Sequence, residues 1–256
     1  MRRIRCITEY LGTEYVGWQR QPNGISVQEA IERALSEITG ESITIHGSGR
    51  TDSGVHARAQ VFHFDTDARM PADKFAIALN MHLPEDVRVL WSEQAPDDFH
   101  ARFSAKEKSY RYTLQTGPHA RVMTKDTALH VHVPLDFAAM EAAAALVPGT
   151  KDFAAFKSSG IEMDNTVRTV LSSRWSMDGV YMHYDVTGTG FLYNMVRILV
   201  GTMLEIGKGL RSPKSMARAL ETADRTEAGA TAPAKGLTLM RVRYPNFDTD
   251  EILKKL

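Results

Sequence analysis

Residues 47–56, Gly47-Ser48-Gly49-Arg50-Thr51-Asp52-Ser53-Gly54-Val55-His56, put one carboxylate and one guanidinium two residues apart among three glycines. Glycine opens backbone conformations closed to other residues and lets the chain approach another molecule closely. A positive charge near Asp52 lowers its pKa and keeps it ionised, which is what a carboxylate nucleophile requires. Asp, Ser and Gly are also ordinary turn residues, so from these residues alone a plain turn and a reactive loop both stand.

Two further stretches carry usable chemistry. Phe99-His100-Ala101-Arg102-Phe103-Ser104 and Lys106-Glu107-Lys108-Ser109-Tyr110-Arg111-Tyr112 interleave rings with cations. Rings stack on splayed bases and cations meet phosphates, a mix suited to single-stranded or flipped RNA. On a strand, Tyr110, Tyr112 and Leu114 share one face and Arg111 points the other way; such a face serves equally as core. Trp18-Gln19-Arg20-Gln21 offers a weaker version of the same mix.

Gly188-Thr189-Gly190-Phe191-Leu192-Tyr193-Asn194-Met195-Val196-Arg197 is a turn entering an apolar helix. Tyr193 stands where a dinucleotide fingerprint needs its third glycine, and Gly209 stands where a phosphate loop beginning at Gly207-Lys208 needs Ser or Thr. Nucleotide-cofactor readings fail on both counts. Arg197 is flanked by Val196, Ile198, Leu199 and Val200; an arginine in such company calls for a carboxylate partner. The histidines, including His46, His56, His63, His130 and His132, lack HExxH or CxxC spacing, so no metal is assigned.

The elements that must position these residues follow from periodicity. Residues 3–10 alternate as a strand, and Ser26-Val27-Gln28-Glu29 reads as a capping box opening a helix with Val27, Ala30, Ile31, Ala34, Leu35 and Ile38 on one face and Gly40 as its stop. Strands at Ser42–His46 and Gln60–Phe64, a helix from Pro71 to Met81 and a strand at Val87–Trp91 complete a β-α-β-β-α-β order. A second pass gives strands at Ser109–Leu114 and Leu129–Val133, a helix over Asp136–Leu146, strands at Val167–Trp175 and Val180–Thr187, helices over Tyr193–Ile206 and Pro213–Ala223, and a strand at Leu237–Val242. Pro148–Asp164 and Thr226–Lys235 read as loops. The expectation is an α+β chain of two halves, 1–100 with the Asp52 loop and 101–256, with the boundary falling within residues 95–108.

Across 256 residues, 31 Lys and Arg balance 31 Asp and Glu, so any phosphate-binding surface must come from local clustering. A single cysteine, Cys6, and an N-terminus without a long apolar segment fit a cytoplasmic protein. The stretch Phe191–Ile206 contains Asn194, Arg197 and Glu205 and falls short of the roughly 20 residues a membrane span needs.

Taken together, Gly49–His56, Asp97–Ser104, Tyr110-Arg111-Tyr112, Gly190–Arg197 and Gly236-Leu237-Thr238-Leu239 resemble, in order and spacing, the motif series of TruA-type tRNA pseudouridine synthases, from about Arg3 to Pro245. The resemblance implies two ferredoxin-like halves whose sheets meet along a central cleft, working as a homodimer without cofactor or metal. The implied substrates are uridines 38 to 40 of the tRNA anticodon stem-loop. It further implies that Asp52 is the nucleophile, attacking either ribose or base, that Arg50 helps displace the target base, and that Tyr110 contacts the flipped uridine. Arg197 would pair with the nucleophile and Leu237 pack in the pocket. Phe99, His100, Ala101, Arg102 and Phe103 would contact tRNA, with Arg102 aiding base flipping, and Arg69 and Arg121 lie near other tRNA-contacting arginines. The family's reaction breaks the N1 glycosidic bond of uridine, rotates the base and rejoins it through C5, which requires the base to leave its stack.

Two other classes compete. A non-catalytic RNA-binding module would use Tyr110, Tyr112 and Phe103 as a stacking platform and be indifferent to Asp52. A metal-dependent phosphodiesterase would use His46, His56 and Asp52 and fail in excess chelator.

Overall fold

Ser26 sits in extended conformation and its hydroxyl accepts from the Glu29 N–H, so the helix α1 (Val27–Thr39) begins where the capping signal places it. It ends at Gly40, whose φ of 73° is the left-handed conformation of a helix stop. Val27, Ile31, Ala34 and Leu35 form its buried stripe.

The structure, a computed structural model, describes residues 1–158 and 165–256, and the chain groups into two compact units, Met1–Lys106 with Leu239–Leu256, and Glu107–Thr238. In the first unit the order is β1 (Arg2–Tyr10), α1, β2 (His46–Gly47), β3 (His56–Thr66), α2 (Phe75–Asn80) and β4 (Val87–Gln94). β1 lies between β3 and β4, antiparallel to both, and β2 pairs with β3. β3 is buried along nearly its whole length, which makes it a rigid rail for whatever its side chains hold.

The strand expected at Ser42–His46 is shorter than its pattern. Ile43 and Ile45 are buried in alternation with exposed neighbours, yet pairing begins only at His46. The Ile45 N–H donates instead to the Glu32 carboxylate of α1 at 3.1 Å, and its carbonyl accepts from the Gln28 amide at 3.3 Å. Helix side chains thus satisfy backbone groups that a ladder would otherwise have used. The helix expected from Pro71 to Met81 is a turn of 3-10 helix over Ala72–Lys74 followed by α2.

The second unit runs β5 (Glu107–Thr116), β6 (Leu129–Val131), α3 (Phe137–Ala145), β7 (Gly149–Asp152), β8 (Val167–Asp178), β9 (Tyr181–Gly188), α4 (Met195–Gly207) and α5 (Ser215–Thr222). β9 pairs antiparallel with β5 and β8, β7 pairs with β8, and β6 runs parallel to β5. β7 falls inside the expected loop Pro148–Asp164; residues 159–164 of that loop lie outside the described residues. α4 is buried almost all round. Among the described residues no helix is long and apolar enough to cross a membrane.

β10 (Leu237–Tyr244), β11 (Phe247–Asp248) and α6 (Thr249–Leu253) follow, with β10 and β11 paired. Residues 239–256, and with them 101–106, group with the first unit rather than with 107–238, so the expected second half 101–256 is divided. There the Lys106 N–H donates to the Arg243 carbonyl at 2.8 Å and the Tyr244 hydroxyl to the Ala101 carbonyl at 2.7 Å. The architecture is α+β with mostly antiparallel strands.

Candidate active site

The Asp52 loop is held from both sides. On one side β3 anchors its entry: the Ser48 N–H donates to the Val61 carbonyl at 2.7 Å, the Ser48 hydroxyl donates to the Gln60 side-chain carbonyl, and the Gln60 amide donates to the Gly49 carbonyl at 2.9 Å. On the other side lies the segment 12–18. The Trp18 N–H donates to the Thr51 carbonyl at 3.1 Å, the Thr51 and Tyr10 hydroxyls are 2.8 Å apart, and the Tyr15 carbonyl accepts from the Ser53 hydroxyl at 3.2 Å. Inside the loop the Val55 N–H closes a turn on the Asp52 carbonyl at 3.1 Å, and Gly54 has a φ of 77°. A turn it is, but one fixed at every step, with Thr51 buried, Asp52 half-buried and Arg50 exposed.

Two glycines outside the motif make this packing feasible. A β-carbon on Gly12 would lie 2.0 Å from the Val55 carbonyl oxygen, and one on Gly17 would lie 2.6 Å from that of Thr51 and 3.2 Å from the Asp52 carbonyl carbon. Gly17 also has a φ of 110°, closed to side-chain-bearing residues. Trp18 belongs to this support rather than to an RNA surface: it is buried, tilted against Tyr10 and Phe62, and its indole fills the space above Gly47.

His56 is buried and its Nδ1 accepts from the Gly12 N–H at 2.9 Å. Among the described residues no three His, Cys, Asp or Glu side chains come together as a metal site.

Phe99–Ser104 is also fastened to β3. The Ala101 N–H donates to His63 Nδ1 at 3.2 Å, and Arg3, paired with Asp65, donates to the Asp97 and Phe99 carbonyls at 2.6 and 2.9 Å. Phe99 and Ala101 are buried, His100 is half-buried, and Arg102 and Phe103 are exposed. Four of the sequence-derived residues therefore group as support and display: two inward anchors and two outward groups. Arg69, in the loop after β3, is exposed as well.

In the second unit Tyr110, Tyr112 and Leu114 share the buried face of β5, and Arg111 lies opposite in a two-pronged pair with Asp185. Tyr110 meets Phe191 edge to face at 5.3 Å. Tyr112 is fully buried, donates to the Pro233 carbonyl at 2.8 Å, and leaves only a glycine's room at Gly236, immediately before Leu237. Burial raises its phenol pKa, while the nearby Arg197 charge acts to lower it. Tyr112→Ala is therefore expected to lower unfolding free energy by about 3–5 kcal/mol, the range for emptying an aromatic core site. Tyr110→Ala should lower turnover further than Tyr112→Ala when both are assayed at a temperature where each is folded. Equal turnover losses that track stability would make both rings core alone.

Arg197 projects from the first turn of α4. Its Nε donates to the Ala232 carbonyl at 2.8 Å, and one terminal nitrogen donates to Asn194 Oδ1 at 2.7 Å. Asn194 holds a left-handed φ of 61° just before the helix and donates to the Ser158 hydroxyl at 2.6 Å. The loop 228–232 is clamped on α4: the Gly229 N–H donates to Thr202 and the Ala230 N–H to Glu205, both at 2.8 Å. Arg121 is exposed ahead of a 3-10 turn, its N–H donating to the Gln115 side chain.

The sequence matches the family profile described as tRNA pseudouridine synthase over residues 6–104 and 142–245. The chain belongs to that family. It is accordingly an isomerase, and the non-catalytic module and the phosphodiesterase are set aside. A tRNA pseudouridine synthase A of Brevibacillus brevis is 46% identical over 244 residues, which cover 95% of this chain and 100% of that protein. The protein of the same name in Geobacter sp. is 46% identical over 96% of this chain and 100% of its own length, and that of Syntrophotalea carbinolica 45% identical over 98% and 100%. The matched span of the family profile includes the Asp52 loop, Phe99–Phe103, Arg197 and Leu237, and passes over Tyr110 and Arg121.

Proposed function

We propose that this chain converts uridine to pseudouridine at positions 38 to 40 of the tRNA anticodon stem-loop, with Asp52 as nucleophile acting on a flipped base. The observation that carries the reading is the fixed, half-buried Asp52 on a loop braced from two sides, with exposed Arg50 two residues away. A reacting group must be held in position before the substrate arrives, and this loop has little freedom left to lose.

In this reading Arg50 and Arg102 assist in displacing the base and Phe103 offers an exposed ring for stacking, which is worth about 1–3 kcal/mol per base. Phe99, His100 and Ala101 hold that display in place. Tyr110 contacts the flipped uridine, Leu237 packs in the pocket, and Arg197 supplies the positive charge that keeps the nucleophile ionised. Arg69 and Arg121 are solvent-facing cations for backbone phosphates. No cofactor or metal takes part. The reading also includes two ferredoxin-like halves around a central cleft, a cytoplasmic location and a homodimer. The order β1-α1-β2-β3-α2-β4 of the first unit supports the first of these.

The test is to incubate purified protein with an unmodified anticodon stem-loop and label pseudouridine chemically, since the product has the mass of the substrate. Label appearing at 38 to 40 is expected. Label elsewhere in the tRNA, with none in the anticodon stem, would overturn the substrate assignment, and sedimentation as a monomer at active concentrations would overturn the dimer.

A further inference from the structure

The backbone donors of the loop Phe99–Ser104 end on unusual acceptors. The Phe99 N–H goes to the Pro96 carbonyl, that of His100 to the Ser104 hydroxyl, and that of Ser104 to the His100 carbonyl. The remaining three end on imidazole nitrogens. Ala101 donates to His63 Nδ1 at 3.2 Å, and Arg102 and Phe103 both donate to His100 Nδ1, at 3.1 and 3.3 Å. An imidazole nitrogen accepts only while it carries no proton. The two rings stand edge to face with centroids 4.7 Å apart, and the His100 ring supports Phe103 at 4.3 Å.

We infer that His63 and His100 are positioning residues for RNA binding, whose neutral Nδ1 atoms fold the loop so that Arg102 and Phe103 are presented ready-formed. The inference rests on the reading of this loop as an RNA contact. Protonating either ring puts an N–H against the backbone N–H groups it now receives, so the loop should open in acid.

The surroundings oppose that proton. Facing His63 are Arg3 of β1, His46 of β2, His100 of the loop and Asp65 of β3, of which only Asp65 favours the charged form. Facing His100 are His46, Arg3 and Arg102, all opposing it. Tyr244 of β10 closes the far side, its hydroxyl on the Ala101 carbonyl and its own ionisation suppressed by burial. Burial first, then these cations, push His63 down to about 4 and lower His100 as well. Because an unfolded histidine titrates near 6.5, the contribution of His63 to stability is whole above about pH 6.5 and declines as pH falls toward 4.

Asparagine separates acceptor from ring, since its Oδ1 reaches the place of Nδ1 and accepts at every pH. His100→Ala is expected to raise KM for the anticodon stem-loop about tenfold at pH 8, the scale of two hydrogen bonds and lost preorganisation. His100→Asn should restore KM to within about twofold by replacing those hydrogen bonds, and should bind better than wild type in acid, where the wild-type imidazole takes up a proton. In RNA-free protein, exchange protection of the Ala101, Arg102 and Phe103 amides, corrected for intrinsic rates, should fall with pH in wild type and hold for Arg102 and Phe103 in His100→Asn. His100→Asn behaving like His100→Ala in both KM and protection would overturn the inference. Phe103→Ala binding RNA normally would overturn the RNA reading of the loop, and the amide protection would then still show whether the imidazoles shape it. His63→Asn, which keeps an acceptor in the buried site, should retain Ala101 protection; its loss in a folded His63→Asn protein would also count against the inference.

Discussion

Asp52→Asn is expected to abolish isomerisation, lowering single-turnover rate by at least about 10⁴-fold, the scale of losing a nucleophile in other enzymes. The exchange keeps the size and shape of the side chain, and the neighbours Thr51 and Ser53 are tied to Tyr10, Tyr15 and Trp18 by their own groups. Affinity for tRNA should stay within a few fold of wild type, since phosphate contacts dominate binding. Asp52→Ala serves as a second variant that cannot revert by deamidation. Turnover by both variants above background would remove Asp52 from its assigned role.

Gly17→Ala should lower turnover by a smaller factor, yet without touching the Asp52 side chain. Its φ of 110° is closed to alanine, and the new methyl would press on the Thr51 carbonyl oxygen at 2.6 Å and the Asp52 carbonyl carbon at 3.2 Å. Backbone strain and overpacking together should lower stability by about 2–5 kcal/mol. Displacing the carboxylate by a fraction of an ångström to an ångström should lower kcat by about 100-fold. Gly117→Ala is the matched control: its φ is 105°, yet nothing lies within 4 Å of the added carbon. It should show the strain alone, as a shift in the urea midpoint with kcat unchanged. If Gly17→Ala and Gly117→Ala lose kcat alike, the contact between Gly17 and the Asp52 loop is not what holds the nucleophile.

Local signals in the sequence predicted those parts of the fold whose cause is local. The Ser26 cap and Gly40 stop bound α1 because both act within one helical turn. The alternation of Tyr110, Tyr112 and Leu114 holds on β5 because strand geometry has a period of two. The Asp52 loop stood out through its own glycines. Its support did not, because Gly12, Gly17 and Trp18 act on residues far along the chain, Val55, Thr51 and Gly47 among them. Trp18-Gln19-Arg20-Gln21 reads as a weak mix of ring and cation, whereas burial against Tyr10, Phe62 and the gap left by Gly47 shows that the indole is core. The shortness of β2 was equally hidden, since it depends on a buried Glu32 whose carboxylate takes a backbone donor from the strand. Likewise nothing in β10 itself signals that residues 239–256 group with the opening hundred residues.

That last grouping bears on the order of events during synthesis. Domains made first usually fold first as the chain emerges, but here the unit begun at Met1 lacks part of its core until residues 239–256 exist. Phe247 supplies the ring over which Arg5 sits at 4.2 Å and against which Trp91 stacks at 5.4 Å, and Tyr244 packs on Phe99 at 5.1 Å while capping the Ala101 carbonyl. On the ribosome, the interior unit 107–238 has all of its own residues before the unit that flanks it does. A nascent chain therefore carries an unfinished Phe99–Phe103 loop while the interior unit 107–238 is made, and gains its full grip on that loop only as residues 239–256 are released.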